Sequence, residues 1–311
     1  MTRNLAIGAD IGGSHISCAA VDLSSGTVLK ETLAEREVNN KAQAFEIIKV
    51  WSGAIAETLS KVRSGSVMGI GFAMPGPFDY VKGISYIKGV AKYENLYGFN
   101  IGDAILSSLE VPGDFGVRFI NDVSAFAVGE ASAGKGAGYN RVMCVTLGTG
   151  LGSAFTSNKI PVVDGPDVPR IGCVYHIPYE KGIADDYFST RWFIGRYLEA
   201  TGKELKGVKE LSRLAGKDQV VDDLFSSFGN DLAVFLAPFL KNFRTEILII
   251  GGNISNAYKH FGGIFENQLR KQGWTNKITL SDLKEDAALL GSAYLFDENF
   301  WRDVQHALPL M

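Results

Sequence analysis

The sequence predicts a two-domain α/β fold, on three observations. Apolar runs of strand length alternate with stretches of helical periodicity. The second half of the chain repeats the layout of the first. The 311 residues also exceed the roughly 250–300 at which a single hydrophobic core stops growing. We place the boundary near residue 120, where an apolar run ends in Asn121-Asp122. That gives an N-terminal domain over 1–120 and a C-terminal domain over 121–296. The last segment, about 297–311, is expected to pack back on the first domain as a helix.

The elements follow in order. LAIGADI (5–11) is a short apolar run with Asp10 near its end, and HISCAAVDL (15–23) follows at once. SSGT then turns the chain into VLKETLA, so the chain opens with a β-meander rather than a strand and a helix. Over 41–62, Phe45, Ile48, Trp51, Ile55, Leu59 and Val62 recur at the spacing of one face of an amphipathic helix. VMGIGFA (67–73) is a buried-strand pattern leading into Pro75-Gly76-Pro77. GVRFIND (116–122) is another strand, and SAFAVGEAS is helical after it. RVMCVTLGTGLGSAF (141–155) reads as strand, glycine turn, strand. LFSSFGNDLAVFLAPFLKNF (224–243) is helical, with a kink expected at Pro238. EILIIGGNIS (246–255) is a strand entering a Gly-Gly turn, and KEDAALLGSAYLF (284–296) is helical.

Composition narrows the function. A formal net charge of −3 offers no basic excess to hold a polyanion, which argues against a nucleic-acid partner. Cys18, Cys144 and Cys173 are scattered and form no CxxC pair, as expected of mostly buried thiols in a reducing compartment. The N-terminus shows no signal-peptide apolar region. No uninterrupted apolar run approaches the ~18 residues of a membrane span. A cytoplasmic protein without a membrane partner is expected.

Three glycine turns point to phosphate. In AIGADIGGSHISCAAVD (6–22) the glycines lie between two strands, so this is no dinucleotide-binding fingerprint, which needs G-x-G-x-x-G before a helix. Nor is it a P-loop. Gly12 and Gly13 let backbone N–H groups approach an anion. Asp10 would repel a bare phosphate, and makes sense with Mg²⁺ between, since Mg²⁺ takes a carboxylate together with waters and phosphate oxygens. An ordinary glycine-rich hairpin is the alternative. A second glycine hairpin, LGTGLG (147–152), contains Gly148, Thr149 and Gly150. In IIGGNIS (249–255), Gly251 and Gly252 separate a strand from a helical pattern, where close backbone approach suits an adenine or ribose. Together the three turns read as an ATP clamp between two similar domains.

The stretches ADIGGSHISCAAVD, GIGFAMPGPFD, FINDVSAFAVGEASAGKGAG, VTLGTGLGSAF, LIIGGNIS and KEDAALLGSAYL run in order from residue 6 to about 296. On these the chain resembles the ROK family of sugar kinases and related repressors, within the actin-like ATPase (ribonuclease-H-like) fold. The resemblance implies two domains, each a mixed sheet flanked by helices, with a cleft between them. It also implies ATP with Mg²⁺, transfer of the γ-phosphoryl group to a hexose hydroxyl as in a glucokinase, and a homodimer. Asp122 falls on the family's catalytic base and Asn121 on a ligand of a sugar hydroxyl. A strand end opening into a helix is a fitting place for a group that accepts the hydroxyl proton, although N-capping is the alternative. An ordinary aspartate, with pKa near ~3.9, is a weak base, so positioning must supply much of the effect. Gly76 matches a turn lining the sugar pocket and Asn95 a sugar ligand, with a plain β-turn the other reading of Pro75-Gly76-Pro77. Ser14 replaces the threonine usual after the two glycines and keeps a hydroxyl for phosphate.

The chain also departs from the family. In GCVYHIPY (172–179), His176 falls on the family histidine, but Cys173 stands where a sugar-binding glutamate is expected and Tyr175 replaces a glycine. The family often continues with a cysteine-rich zinc loop. No cysteine cluster follows His176, and a structural zinc needs about four N/S ligands, so no zinc is expected. Asp185 falls on a second glutamate, one methylene shorter. A solvated acidic pair, Asp185-Asp186, and a partly buried histidine without a ligand role are the competing readings. One lost ligand leaves a substrate hydroxyl unpaired at about 1–3 kcal/mol. Open outcomes are a different sugar, a glucokinase whose site is completed otherwise, polyphosphate as donor, and a catalytically weak sugar- or nucleotide-binding protein. Family repressors carry an N-terminal helix-turn-helix of about 60 residues. A phosphate hairpin beginning at residue 6 leaves no room for one, so a kinase is expected.

Overall fold

The computed structural model describes residues 4–63, 66–89 and 92–311. The chain forms two compact units. The first comprises Met1–Ala137, Lys159–Pro161 and Glu285–Met311, and the second Gly138–Asn158 and Val162–Lys284. The division falls at 137 rather than near 120.

In the first unit, β1 (Asn4–Ile11) and β2 (His15–Asp22) form the antiparallel hairpin of the meander, continued by β3 (Thr27–Val28) and β4 (Ala34–Glu37). β5 (Ser66–Met74) and β6 (Gly116–Asn121) join in parallel, giving the order β3-β2-β1-β5-β6 with β4 also paired to β2. Leu5 to Ala9 are all buried, the unbroken apolar pattern of a strand covered on both faces. Helix α1 (Ala44–Lys61) packs on β2 and β4, burying Ile47, Ile48, Trp51, Ala54 and Ile55. Phe45, assigned to the same apolar face by spacing, stands in the first turn and is exposed.

Register sets the functional edge. Asp10 pairs with Ala73, and Met74 with Asn121. The C-terminal ends of three parallel strands therefore level at one edge of the sheet, the edge at which open α/β sheets bind ligands. Helix α2 (Asp122–Ala133) leaves β6 directly at that edge.

The returning segment supplies α6 (Asp286–Ala293) and α7 (Glu298–Val304), both in the first unit. Helix α6 lies on β1 and β5 and against α2 with almost no side chain between the backbones. A Cβ at Gly8 or Gly71 would run into the carbonyls of Leu289 or Ser292, and one at Gly129 or Gly291 into those of Ala287 or Ala125. This packing places α2 with the first unit and moves the division beyond residue 120. On the same sheet, Arg118 of β6 lies between the rings of Phe296 and Trp301, with its guanidinium carbon 4.7 and 4.0 Å from the ring centres.

The second unit repeats the plan. β7 (Arg141–Leu147) and β8 (Leu151–Ser157) make an antiparallel hairpin, and β9 (Ile247–Gly251) and β10 (Lys277–Leu280) add in parallel in the order β8-β7-β9-β10. Helices α3 (Thr190–Thr201), α4 (Gln219–Asn242) and α5 (Tyr258–Lys271) surround an aromatic core of Phe193, Phe225, Phe228, Phe261 and Phe265. Helix α4 runs on through Pro238, and Val234, whose carbonyl loses its N–H partner there, is exposed.

The crossing of α2 and α6 generates a prediction. Gly291→Ala forces helix backbones apart and is expected to cost about 3 kcal/mol in urea unfolding. Gly195→Ala in α3, where a Cβ meets nothing within 4 Å, is expected to be neutral or to stabilise by up to about 1 kcal/mol.

Candidate active site

The first unit gathers Asp10, the turn Gly12–Ser14, Gly76, Asn95, Asn121 and Asp122. Asn121 is the N-cap of α2. Its Oδ1 accepts from the N–H groups of Val123 and Ser124, both at 3.1 Å. Its Nδ2 donates to Asp122 Oδ1 at 2.9 Å and to the hydroxyl of buried Tyr80 at 3.3 Å, which donates in turn to the Met74 carbonyl at 3.0 Å. All the hydrogen-bonding capacity of the Asn121 amide is thus engaged. The residue expected as a sugar ligand is fixed as a brace for Asp122. Gly76 lies beside the same hydroxyl, since a Cβ there would stand 3.4 Å from Tyr80 Oη.

Asp122 Oδ1 also accepts from Val123 N–H at 2.9 Å. Burial pushes its carboxyl up, and nearby Lys92, the backbone N–H groups and the Asn121 amide pull it back down. Asp10, at the end of β1, is pushed up to about 7, first by burial and then by the charges of Asp122 and Glu285. The two expected carboxylates are therefore close enough to repel one another, and Glu285 joins them.

In the turn, Gly12 N–H closes the hairpin on the His15 carbonyl at 3.0 Å. The N–H groups of Gly13 and Ser14 donate to no described group. The Gly12 carbonyl accepts from the Tyr93 hydroxyl at 2.7 Å, the Gly13 carbonyl from the Asn40 amide, and the Ser14 carbonyl from Val38 N–H at 2.8 Å. Asn95 is exposed; its Nδ2 donates to the carbonyls of Lys41 and Ala42 at 3.1 and 2.9 Å.

The second unit holds the other two glycine turns, and they touch. Gly252, at φ 79°, fits against the backbone of Leu147 where no Cβ has room. Thr190 donates to the Gly148 carbonyl through its N–H (2.8 Å) and its hydroxyl (2.9 Å), and Arg191 donates to the Thr149 carbonyl at 3.0 Å. Asp185, expected as a sugar carboxylate, is turned onto this hairpin. Its Oδ1 accepts from Leu151 N–H at 2.6 Å and its Oδ2 pairs with Arg191 at 2.6 Å. A Cβ at Gly150 would lie 2.5 Å from Oδ1, so glycine is what lets the carboxylate in.

His176 and Cys173 are neighbours, with Sγ 3.7 Å from Nδ1. Burial and the charge of Arg170 hold the imidazole below its usual range, and burial pushes the thiol up to about 12. Both are neutral near pH 7. Among the described residues, no set of three or more His, Cys, Asp or Glu is arranged to hold a metal, and no helix is long and apolar enough to cross a membrane.

Spacing did not reveal Tyr80, Tyr93, Lys92, Asn40 or Arg191. For Tyr80, Tyr93, Lys92 and Arg191, nearness in sequence to Gly76, Asn95 and Asp185 was the available signal; Asn40, far from all three in sequence, gave none.

Asp10 supplies a pH-dependent prediction. Unfolding returns it from about 7 to the ordinary carboxylate value of 3.8, so the folded state holds the proton more tightly. This contribution is present below pH 4 and lost as pH rises through 7. Without divalent cations, Asp10→Asn is expected to be near neutral at pH 4. At pH 8 it should stabilise by on the order of 3 kcal/mol, read from urea midpoints.

Comparison with known proteins places this geometry. The glucokinase of Thermotoga maritima is 27% identical over 94% of this chain and 97% of its own. An N-acetyl-D-glucosamine kinase of Pectobacterium carotovorum is 23% identical over 80% of this chain and 84% of its own. The crystal structure of a ROK family glucokinase from Streptomyces griseus, in complex with glucose and AMPPNP, superposes with a TM-score of 0.73 at 23% identity. It covers 94% of this chain and 99% of that one. The fold is thus the mixed α/β fold of the actin-like ATPases, as expected. The ROK family pattern itself matches residues 6–299, nearly the whole length, and the chain belongs to the ROK family.

Proposed function

We propose that the protein is a sugar kinase that transfers the γ-phosphoryl group of ATP to a hexose hydroxyl, glucokinase-like, with Asp122 as general base. Beyond family membership, one observation carries this reading. Asp122 is held by the Asn121 amide and Val123 N–H at the strand-end edge that also carries Asp10 and the Gly12–Ser14 turn.

Asp122 accepts the proton of the attacking hydroxyl as its oxygen bonds to the γ-phosphorus and the bond to the ADP oxygen breaks. Burial raises the basicity of the carboxylate, and Lys92 and the N–H donors offset part of that rise. The bracing by Asn121 and Tyr80 fixes its aim, and positioning supplies much of the rate. Asn95 retains Oδ1 to accept from a sugar hydroxyl, and His176 stands beside neutral Cys173 as the polar contact of the second unit. The unpaired N–H groups of Gly13 and Ser14, with the Ser14 hydroxyl, are oriented donors for phosphate oxygens. Gly148–Gly150 and Gly251–Gly252 receive the rest of the nucleotide. The excess negative charge around Asp10 fits a divalent cation. Asp10 is the residue to hold Mg²⁺, directly or through water, and such an ion supplies neutralisation of the β- and γ-phosphates.

The test is coupled ADP release with Mg-ATP across glucose, mannose, fructose, N-acetylglucosamine, N-acetylmannosamine and allose. Turnover on at least one sugar is expected. Asp122→Asn should lower kcat by about 10²–10⁴ while sugar binding persists. ATP binding without turnover on any of the six, with ATP or with polyphosphate as donor, would overturn the proposal.

A further inference from the structure

The segment 92–95 carries one side chain whose surroundings the reaction above does not explain. Tyr93 is fully buried between exposed Glu94 and partly buried Lys92, with its ring edge-on to Trp51 at 5.5 Å. Its backbone is left-handed (φ 55°, ψ 20°), a conformation a bulky residue keeps only when its surroundings hold it. What holds it is the phosphate turn. The Tyr93 hydroxyl donates to the Gly12 carbonyl at 2.7 Å, across 81 residues of sequence. Its N–H donates to the Asn40 carbonyl at 2.8 Å, and the Asn40 side-chain amide donates to the Gly13 carbonyl.

Peptide planarity makes these contacts directional. In a trans peptide the carbonyl and the following N–H point in opposite directions. Pinning the Gly12 carbonyl aims Gly13 N–H the other way, and pinning the Gly13 carbonyl does the same for Ser14 N–H. These are the two amides of the turn that donate to no described group. Glycines at 12 and 13 would otherwise leave both planes free to rotate. The residues doing the pinning belong to the acceptor side: Tyr93 lies two residues before Asn95, which ties the same segment to the carbonyls of Lys41 and Ala42, and one after Lys92, which faces Asp122.

We infer that Tyr93 is a positioning residue: its hydroxyl locks the peptide plane that presents Gly13 N–H to the donor phosphates, and links the order of that turn to the segment 92–95, so that an acceptor sugar bound there tightens nucleotide binding. The inference rests on the proposed kinase function. Preorganised N–H donors bind an anion without the cost of ordering them first.

The experiment is calorimetric titration of the full chain with a non-hydrolysable ATP analogue and Mg²⁺, alone and with saturating glucose or N-acetylglucosamine. It is run on wild type, Tyr93→Phe and Asn40→Ala. Phenylalanine keeps the ring against Trp51 and removes only the hydroxyl. Tyr93→Phe is expected to weaken analogue binding about 3- to 10-fold, the range of one hydrogen bond, and to abolish the tightening by sugar. Sugar affinity measured alone should stay within about twofold. Where turnover is measurable, KM for ATP should rise with little change in kcat. Asn40→Ala should weaken the analogue similarly and serves if Tyr93→Phe does not fold. Wild-type affinity and sugar response in both variants would overturn the inference, and a wild-type affinity indifferent to either sugar would overturn the linkage. A wild-type chain that binds no analogue would overturn the kinase proposal, and this inference with it.

Discussion

The first unit depends on the contact of α6 with the sheet and with α2. Four glycines, Gly8 and Gly71 in the strands, Gly129 in α2 and Gly291 in α6, remove the side chains that would separate these backbones. The contact sets backbone directly against backbone, so its value lies in rigidity. Backbone against backbone has no rotamers to adjust, and interiors packed at crystal density do not yield to small displacements. Helix α2 begins with Asp122, and β1 ends near Asp10. Strand register brings the two carboxylates to one edge, and the packing of α2 on α6 holds the helix that begins with Asp122 against that sheet. This explains how two acidic groups that repel one another are kept in proximity.

That proximity divides their roles. Both are buried acids, yet their surroundings differ. Asp122 has the Asn121 amide, the Val123 N–H and Lys92 to offset burial. Among the described residues no donor serves the Asp10 carboxyl, and two further negative charges, Asp122 and Glu285, stand against it. One carboxylate is supplied with donors and a nearby cation; the other is left with excess charge that a cation would relieve. Environments that push two titratable groups apart assign them different chemical tasks.

Much of this was legible in the sequence. The β-meander, the amphipathic helix and the glycine turns announce themselves locally through period, apolar runs and turn chemistry. Register then brought Asp10 and Asn121-Asp122 to one edge, as two strands ending in those residues suggested. Side-chain employment was not legible. Capping by Asn121 was one of the two local readings and is present, but its bond to Tyr80 and the bond of Asp185 to the Leu151 amide join residues distant in sequence. Motif position fixes which residue stands at a site but not which way its oxygens turn. The division between units was misplaced for a related reason: α2 continues from β6, but it packs against α6, some 160 residues later in the chain.

The two polar turns share one construction, and in the second it employs Asp185. In Gly12–Ser14, successive carbonyls are pinned by Tyr93, Asn40 and Val38; in Gly148–Gly150, those of Gly148 and Thr149 are pinned by Thr190 and Arg191. Each pin aims the next N–H outward. In the second turn Arg191 needs an anchor, and Asp185 provides it while also accepting from Leu151 N–H. Both oxygens of that carboxylate are thereby oriented by the turn, each keeping a further lone pair. Cys173 and His176 are both neutral near pH 7, so the segment that carries them offers polar contacts without charge. The charge at the second turn is that of the Asp185–Arg191 pair, and it is spent on holding the turn's shape.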